Sequence, residues 1–192
     1  LRFRTPGLGG QVWGKLGASV TNLAAGEIFA ALQSGTLDAA EFVGPYNDLA
    51  LGFYQIAKNY YFPSFVEPGL ATEVVVDKAK FAELPEDLQE IVRLAAQSSY
   101  DQVASDMYAN DPRALNALVS EHGVQVRRFP EEIIEAGAKA SMELIAEIRE
   151  GGDALTKEAA ESFVSAFNLL RQRTEGTDMP YLVAREKYIK YT

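Results

Sequence analysis

Apolar positions in the first third of the chain come in short clusters that switch period, from alternation to a three-to-four-residue spacing and back. LRFRT alternates and predicts a strand, and GGQVWGKLG after it predicts a helix. GASVTNL predicts a second strand. AGEIFAALQSG predicts a helix with Glu27 in its first turn and Gly35 at its end. LDAAEFVG predicts a third strand, and PYNDLALGFYQIA a helix that starts with Pro45 at its first position. Such a βαβαβα order implies right-handed crossovers and a parallel sheet, whose ligands sit beyond the carboxyl ends of the strands. Arg4 and Glu41 both fall near such ends.

From about Asn59 the pattern changes. KNYYFPSF and ATEVVVD are rich in aromatic and β-branched residues and are separated by the turn-like VEPG, so both are expected to be strands. The stretch from Leu84 to Gly123 is then almost unbroken helical pattern, with Leu88, Ile91, Val92, Ala95 and Ala96 on one stripe. Pro112 is expected to kink or interrupt it. VQVRRF predicts a short strand and PEEIIEAGAKASMELIAEIREGG a second long helix. DALTKEAAESFVSAFNLLRQRTEG predicts a third, capped by Asp153 or Thr156, before a short amphipathic tail.

Composition narrows the function. The 192 residues suffice for one sizeable domain or two small ones. With 18 Lys+Arg against 27 Asp+Glu the net charge is −9, which argues against nucleic-acid binding. No Cys is present, so disulfides and thiolate metal sites are excluded, and a single histidine, His122, leaves little material for a triad or a multi-histidine metal centre. No apolar run reaches the roughly 18 residues of a membrane span.

Two residues carry candidate chemistry. Alternation puts Arg2 and Arg4 on one face of the first strand and Leu1 and Phe3 on the other. An arginine on a parallel strand needs a partner, because desolvating a guanidinium is costly, and its fork matches a carboxylate. Glu41 ends an apolar strand just before Gly44-Pro45; it reads as a cation ligand, an acceptor for a ligand hydroxyl, a partner for Arg4 or a solvated residue. The aromatics from Phe42 to Phe65 read partly as pocket and partly as core. PGLGG does not satisfy the GxGxxG spacing and reads as a tight strand-to-helix turn.

RFRTPG, EIFAALQSGTLDA (Glu27 to Ala39) and LPEDLQ (Leu84 to Gln89) together resemble the periplasmic solute-binding subunits of TRAP (tripartite ATP-independent periplasmic) transporters, the DctP-like family. The likeness is to the branch that binds 2-oxo acids and other monocarboxylates, and it runs over nearly the whole chain. It implies a type II periplasmic-binding-protein-like α/β fold: a parallel-sheet lobe plus long connecting helices, in a two-lobed protein whose first lobe is largely missing from this chain. Residues 1–58 would form the ligand-binding lobe, 59–77 strands crossing the hinge, and 78–192 long helices and a tail packing across lobes.

By position, the resemblance gives Arg4 the salt bridge to the ligand carboxylate and Glu41 a place in a cation site completed by the Phe42 carbonyl. Phe42 stands where Trp is frequent in 2-oxo-acid binders, and Phe65-Val66 where Trp-His precedes Glu67-Pro68-Gly69. Phe65 and Glu67 are thereby also ligand-binding candidates. The implied cation is Na⁺ or Ca²⁺, hard ions that suit oxygen ligands. The implied function is non-enzymatic: periplasmic capture of a small acid such as pyruvate or lactate for delivery to TRAP membrane subunits. A dicarboxylate or sugar-acid binder and a sensor-type carboxylate module are the alternatives. A homodimer through the C-terminal helix would use Phe163, Phe167, Leu170, Tyr181 and Leu182.

Overall fold

The computed structural model describes residues 1–69 and 72–190, which divide into two compact units, 1–140 and 141–192.

In the first unit, β1 (Arg2–Arg4) is the middle strand of a three-stranded parallel sheet, flanked by β2 (Ser19–Thr21) and β3 (Ala39–Ala40). Phe3 pairs with Val20 on one side and Ala39 on the other. Helix α1 (Gly7–Lys15) returns the chain from β1 to β2, and α2 (Ala25–Gln33) carries it across to β3. The chain therefore winds one way from β1 and then the other, which puts the reversal of strand order between β1 and β3.

Glu27 supports the start of α2, its Oε2 accepting the Ala24 N–H at 3.2 Å. Gly35, at φ +70°, follows the last turn of that helix as the sequence predicts. Ile28, Leu32, Leu37 and Phe53 form the buried core beside the sheet, with Phe29, Phe42 and Ile56 packed against them.

The helix expected over PYNDLALGFYQIA is shorter than its pattern. Helix α3 ends at Ala50 (Pro45–Ala50), Gly52 turns left-handed at φ 73°, and a single 3₁₀ turn over Phe53–Gln55 aims Phe53 into the core. A left-handed glycine breaks the helical ladder although the apolar spacing runs on through it.

Strand β4 (Asn59–Phe62) pairs in parallel with β5 (Gln125–Arg128), from Asn59↔Gln125 to Phe62↔Arg128. β4 stops one residue before Pro63, which has no N–H for a ladder. The second expected strand does not form: residues 72–77 have no regular structure, and Val74, Val75 and Val76 are exposed. Its first residue, Ala71, lies outside the described residues. β-branched residues make a strand only where another edge accepts their hydrogen bonds, and among the described residues none does.

Between the two β4–β5 strands run a short α4 (Lys78–Ala82), capped by Asp77, and the 35-residue α5 (Glu86–Ser120). Pro112 lies inside α5 without ending it. The carbonyl that its missing N–H leaves free belongs to Tyr108, an exposed residue that water can serve. Ala114 and Leu118 of this helix are buried, whereas Leu88 and Ile91 of its apolar stripe are exposed. Helix α6 (Glu131–Gly151) follows β5.

In the second unit, α7 (Ala154–Arg173) starts at Asp153, whose side chain accepts the Thr156 N–H at 2.8 Å. That settles the cap between the two expected residues. A wider π-type turn over Thr174–Asp178 leads into α8 (Met179–Tyr188). Leu144 and Ala160 are buried there, while Phe163, Phe167, Leu170, Tyr181 and Leu182 are all exposed.

Candidate functional site at the carboxyl edge of the sheet

The carboxyl ends of β1 and β3 bring Arg4 and Glu41 together, and the tie is made first by backbone: the Glu41 N–H donates to the Arg4 carbonyl at 2.8 Å. The two arginines of β1 have different fates. Arg2 is exposed and forms a fork with Asp38, Nε to Oδ2 at 3.1 Å and Nη2 to Oδ1 at 2.5 Å. Those hydrogen bonds, with one from the Arg2 N–H, hold the Asp38 carboxyl down at about 2. Asp38 is thus tied to Arg2 at the start of β1, away from the carboxyl ends of the strands.

Arg4 is buried, with 7% of its surface exposed. Its Nε donates to the Leu23 carbonyl at 3.0 Å and its Nη1 to the Glu41 carbonyl at 2.7 Å. The guanidinium carbon stands 5.6 Å from the centre of the Phe42 ring. Among the described residues no carboxylate pairs with Arg4 in an ion pair. Two carbonyls and an aromatic face fix the plane of the fork and leave its charge uncompensated by direct contact.

Thr5, 2% exposed, comes next along the chain. Its hydroxyl donates to Glu41 Oε2 at 3.3 Å. The Glu41 carboxyl is pushed above its ordinary value, first by burial and then by the negative charge of Glu67, with Arg4 pulling the other way. Glu67 reaches this spot from the irregular segment after β4: a Cβ placed on Gly9 would lie 3.1 Å from Glu67 Oε1 and 3.5 Å from the Thr5 hydroxyl oxygen. The first turn of α1 is therefore open at Gly9 to admit a carboxylate, where the helix dipole favours one.

Of the five residues singled out from the sequence, Arg4, Glu41 and Phe42 form one cluster, and Glu67 approaches it across Gly9. Phe65 sits apart from them, its ring between Trp13 at 5.2 Å and Phe129 at 5.4 Å. Thr5 and the Leu23 carbonyl were not anticipated. The sequence held one hint, since Thr5 directly follows Arg4 at a strand end. The single histidine is structural in its contacts: His122 stacks on Tyr54 at 3.8 Å, and its carbonyl accepts from Lys58 Nζ.

A cavity of about 70 Å³ lies against Phe42, with Asp48 and Tyr60 in its wall; neither Arg4 nor Glu41 lines it. Asp48 is buried and accepts a hydrogen bond from the Tyr60 hydroxyl on Oδ2, while Oδ1 finds no partner among the described residues. Burial raises the Asp48 carboxyl to about 6 against the pull of the Tyr60 bond, with Asp111 adding to the rise. The Tyr60 phenol is pushed up in turn, first by burial and then by Asp48.

No group of three or more His, Cys, Asp or Glu among the described residues gathers as a metal cage. Glu41 and Glu67 bring two carboxylates together here, and carboxylate oxygens are the donor type that hard cations take. None of the helices, among the described residues, is long and apolar enough to cross a membrane.

Known proteins resemble this chain in sequence and fold. The chain is 38% identical over 147 residues to the monocarboxylate 2-oxoacid-binding periplasmic protein of Nostoc sp., covering 77% of this chain and 40% of that protein. A TRAP periplasmic solute-binding protein from Colwellia psychrerythraea, solved with bound calcium and pyruvate, superposes with a TM-score of 0.85 at 38% identity. That match covers 95% of this chain and 55% of the other. One from Pseudoalteromonas atlantica, with bound sodium and pyruvate, gives 0.86 at 35% identity and covers 99% and 56%. The chain thus spans about half the length of these relatives, and its fold is that of the TRAP periplasmic solute-binding proteins. The family model for bacterial extracellular solute-binding proteins, family 7, matches residues 1–151, and the chain belongs to that family of binding proteins rather than to a family of enzymes.

Proposed function

We propose that this chain supplies the carboxylate-binding face of a TRAP solute-binding protein for a small 2-oxo or 2-hydroxy monocarboxylic acid, such as pyruvate or lactate. The observation that carries the reading is Arg4: a guanidinium held in plane by two carbonyls, buried, and without an ion-pair partner among the described residues. A ligand carboxylate placed against its free edge supplies the missing negative charge and two parallel hydrogen bonds.

A cation belongs to the same reading. Glu41 and Glu67 repel one another, and an anionic ligand brought to Arg4 adds a third negative charge. A hard cation between the Glu41 carboxylate, the Phe42 carbonyl and Glu67 removes that repulsion and chelates the acid through its carboxylate and neighbouring oxygen. The relatives solved with pyruvate hold calcium or sodium, which supports this assignment. Phe42 then has two tasks, its carbonyl on the cation and its ring under Arg4. The division at 58 and 77 into lobe, crossing segment and helices also belongs to the proposal.

In the complete protein, this face closes on a second lobe around the acid, and the closed form presents it to membrane subunits in the periplasm. A homodimer through the exposed apolar residues of α7 and α8 is part of the same reading, tested by light scattering, where a monomer at micromolar concentration removes it.

The test of function is calorimetric titration of the complete protein with pyruvate, lactate, a dicarboxylate and a sugar acid, in calcium, in sodium and after chelation. Binding of pyruvate or lactate that disappears with the cation is the expected result. Binding only of the dicarboxylate or sugar acid replaces the ligand class, and binding indifferent to cations removes Glu41 and Glu67 from a metal site.

A further inference from the structure

The segment that delivers Glu67 has no secondary structure of its own, yet its carboxylate must be placed accurately against the opening at Gly9. Local hydrogen bonding supplies one restraint, from the Ser64 hydroxyl to the Glu67 carbonyl at 2.9 Å. The larger restraint is Phe65. Its ring lies against Trp13 of α1 and edge-on to Phe129, which follows β5. It also covers the backbone of α6 at Gly137 so closely that a Cβ there would fall 2.1 Å from the ring.

Helix α1 therefore touches this segment twice. Trp13 near its end meets Phe65, and Gly9 in its first turns meets the Glu67 carboxylate two residues on. Trp13 is itself set by an edge contact with Phe3 of β1, at 5.0 Å and 87°, next to Arg4. Aromatic contacts of this kind are rigid and have few rotamers, so an irregular segment pinned by one inherits the position of the elements that grip it.

The geometry points to Phe65, clasped by Trp13 and Gly137, as the positioning residue that sets the Glu67 carboxylate beside Thr5 and Glu41. This rests on the carboxylate-and-cation reading above and deepens it: Phe65 acts on the cation through Glu67, rather than by touching the acid.

A double-mutant cycle in the complete protein tests it, with Ca²⁺ titrated calorimetrically in the presence of pyruvate. Phe65→Ala is expected to weaken Ca²⁺ roughly tenfold when Glu67 is present and by less than about twofold in the Glu67→Gln background. Phe65→Leu, which keeps apolar bulk over Gly137, is expected to restore most of the loss. Equal losses in both backgrounds overturn the proposal, because a general structural role would not distinguish them. If the unmutated protein binds neither Ca²⁺ nor pyruvate, it is the proposed function that fails. The clasp is then judged by amide hydrogen exchange over residues 63–68. Faster exchange in Trp13→Phe and Phe65→Ala, with unchanged circular dichroism, supports it, and unchanged exchange overturns it.

Discussion

Arg4 is joined to Glu41 through the carbonyl of Glu41, at 2.7 Å, and not through its carboxylate. The distinction decides what the arginine is free to do. A carboxylate partner would satisfy the fork and close the site; a carbonyl orients it and leaves the charge for a ligand. Arg4→Lys keeps the charge but has no planar fork to be oriented by Leu23 and Glu41. The acid is expected to bind roughly tenfold to a hundredfold more weakly, about 1.5–3 kcal/mol, with thermal stability little changed. Unaltered affinity by calorimetry contradicts the role given to Arg4.

Glu41→Gln removes one of the two carboxylates while preserving an acceptor for the Thr5 hydroxyl. Cation dependence of acid binding is expected to shrink by at least about tenfold, since a neutral amide is a poorer ligand for a hard cation. Without chelatable metal, the variant should bind the acid no worse than the unmutated protein, because one repulsive charge is gone. A variant that still needs calcium or sodium to the same degree argues against Glu41 as a ligand.

Gly9 and Gly10 are neighbours in α1 with opposite expected consequences. A methyl on Gly9 meets the movable Glu67 carboxylate, so Gly9→Ala is expected to weaken cation binding and leave melting nearly untouched. A methyl on Gly10 falls 2.8 Å from the Thr5 carbonyl oxygen, which is backbone, and 3.1 Å from Val20. Gly10→Ala is expected to cost about 1–3 kcal/mol by denaturant titration. The same loss from both substitutions would contradict the geometry.

Asp48 gives a pH dependence of definite sign. Its folded-state carboxyl is raised to about 6 from an ordinary 3.8, so between those values the folded protein holds a proton that the unfolded chain has released. Stability from this group therefore falls as pH rises from about 4 to about 6 and stays lowered above that, by on the order of 3 kcal/mol. Asp48→Asn abolishes the titration and can still accept from Tyr60. The melting-temperature gain of Asp48→Asn over the unmutated protein is expected to grow from pH 4 to pH 7. A gain that shrinks over that range refutes the assignment.

What the sequence disclosed and what it withheld follow from the range of the interactions. The βαβαβα front was legible because each strand and helix there carries its own period and its own punctuation, from Glu27 at the start of α2 to Gly35 after it. Arg4 and Glu41 stood out as charges at strand ends, where topology alone gathers them. The valines of ATEVVVD misled because strand formation depends on a partner edge that their own residues do not specify. Pro112 does not end its helix, since a helix on an exposed path tolerates a lost hydrogen bond. Phe65 reads as a residue of the binding face from its place before Glu67. Its contacts with Trp13, Phe129 and Gly137 join points far apart in the chain, and no local pattern encodes them. The buried Asp48 also escaped notice, because an acid in a first helical turn has an ordinary solvated explanation.

The pairing of β4 with β5 places all of α5 inside the loop it closes. The front sheet joins strands that follow one another closely, so its closure entropy is small, whereas Asn59 must wait for Gln125. During synthesis, the ribosome releases Tyr60 and Tyr61 long before their ladder partners exist, and for that interval the chain carries an open aromatic edge.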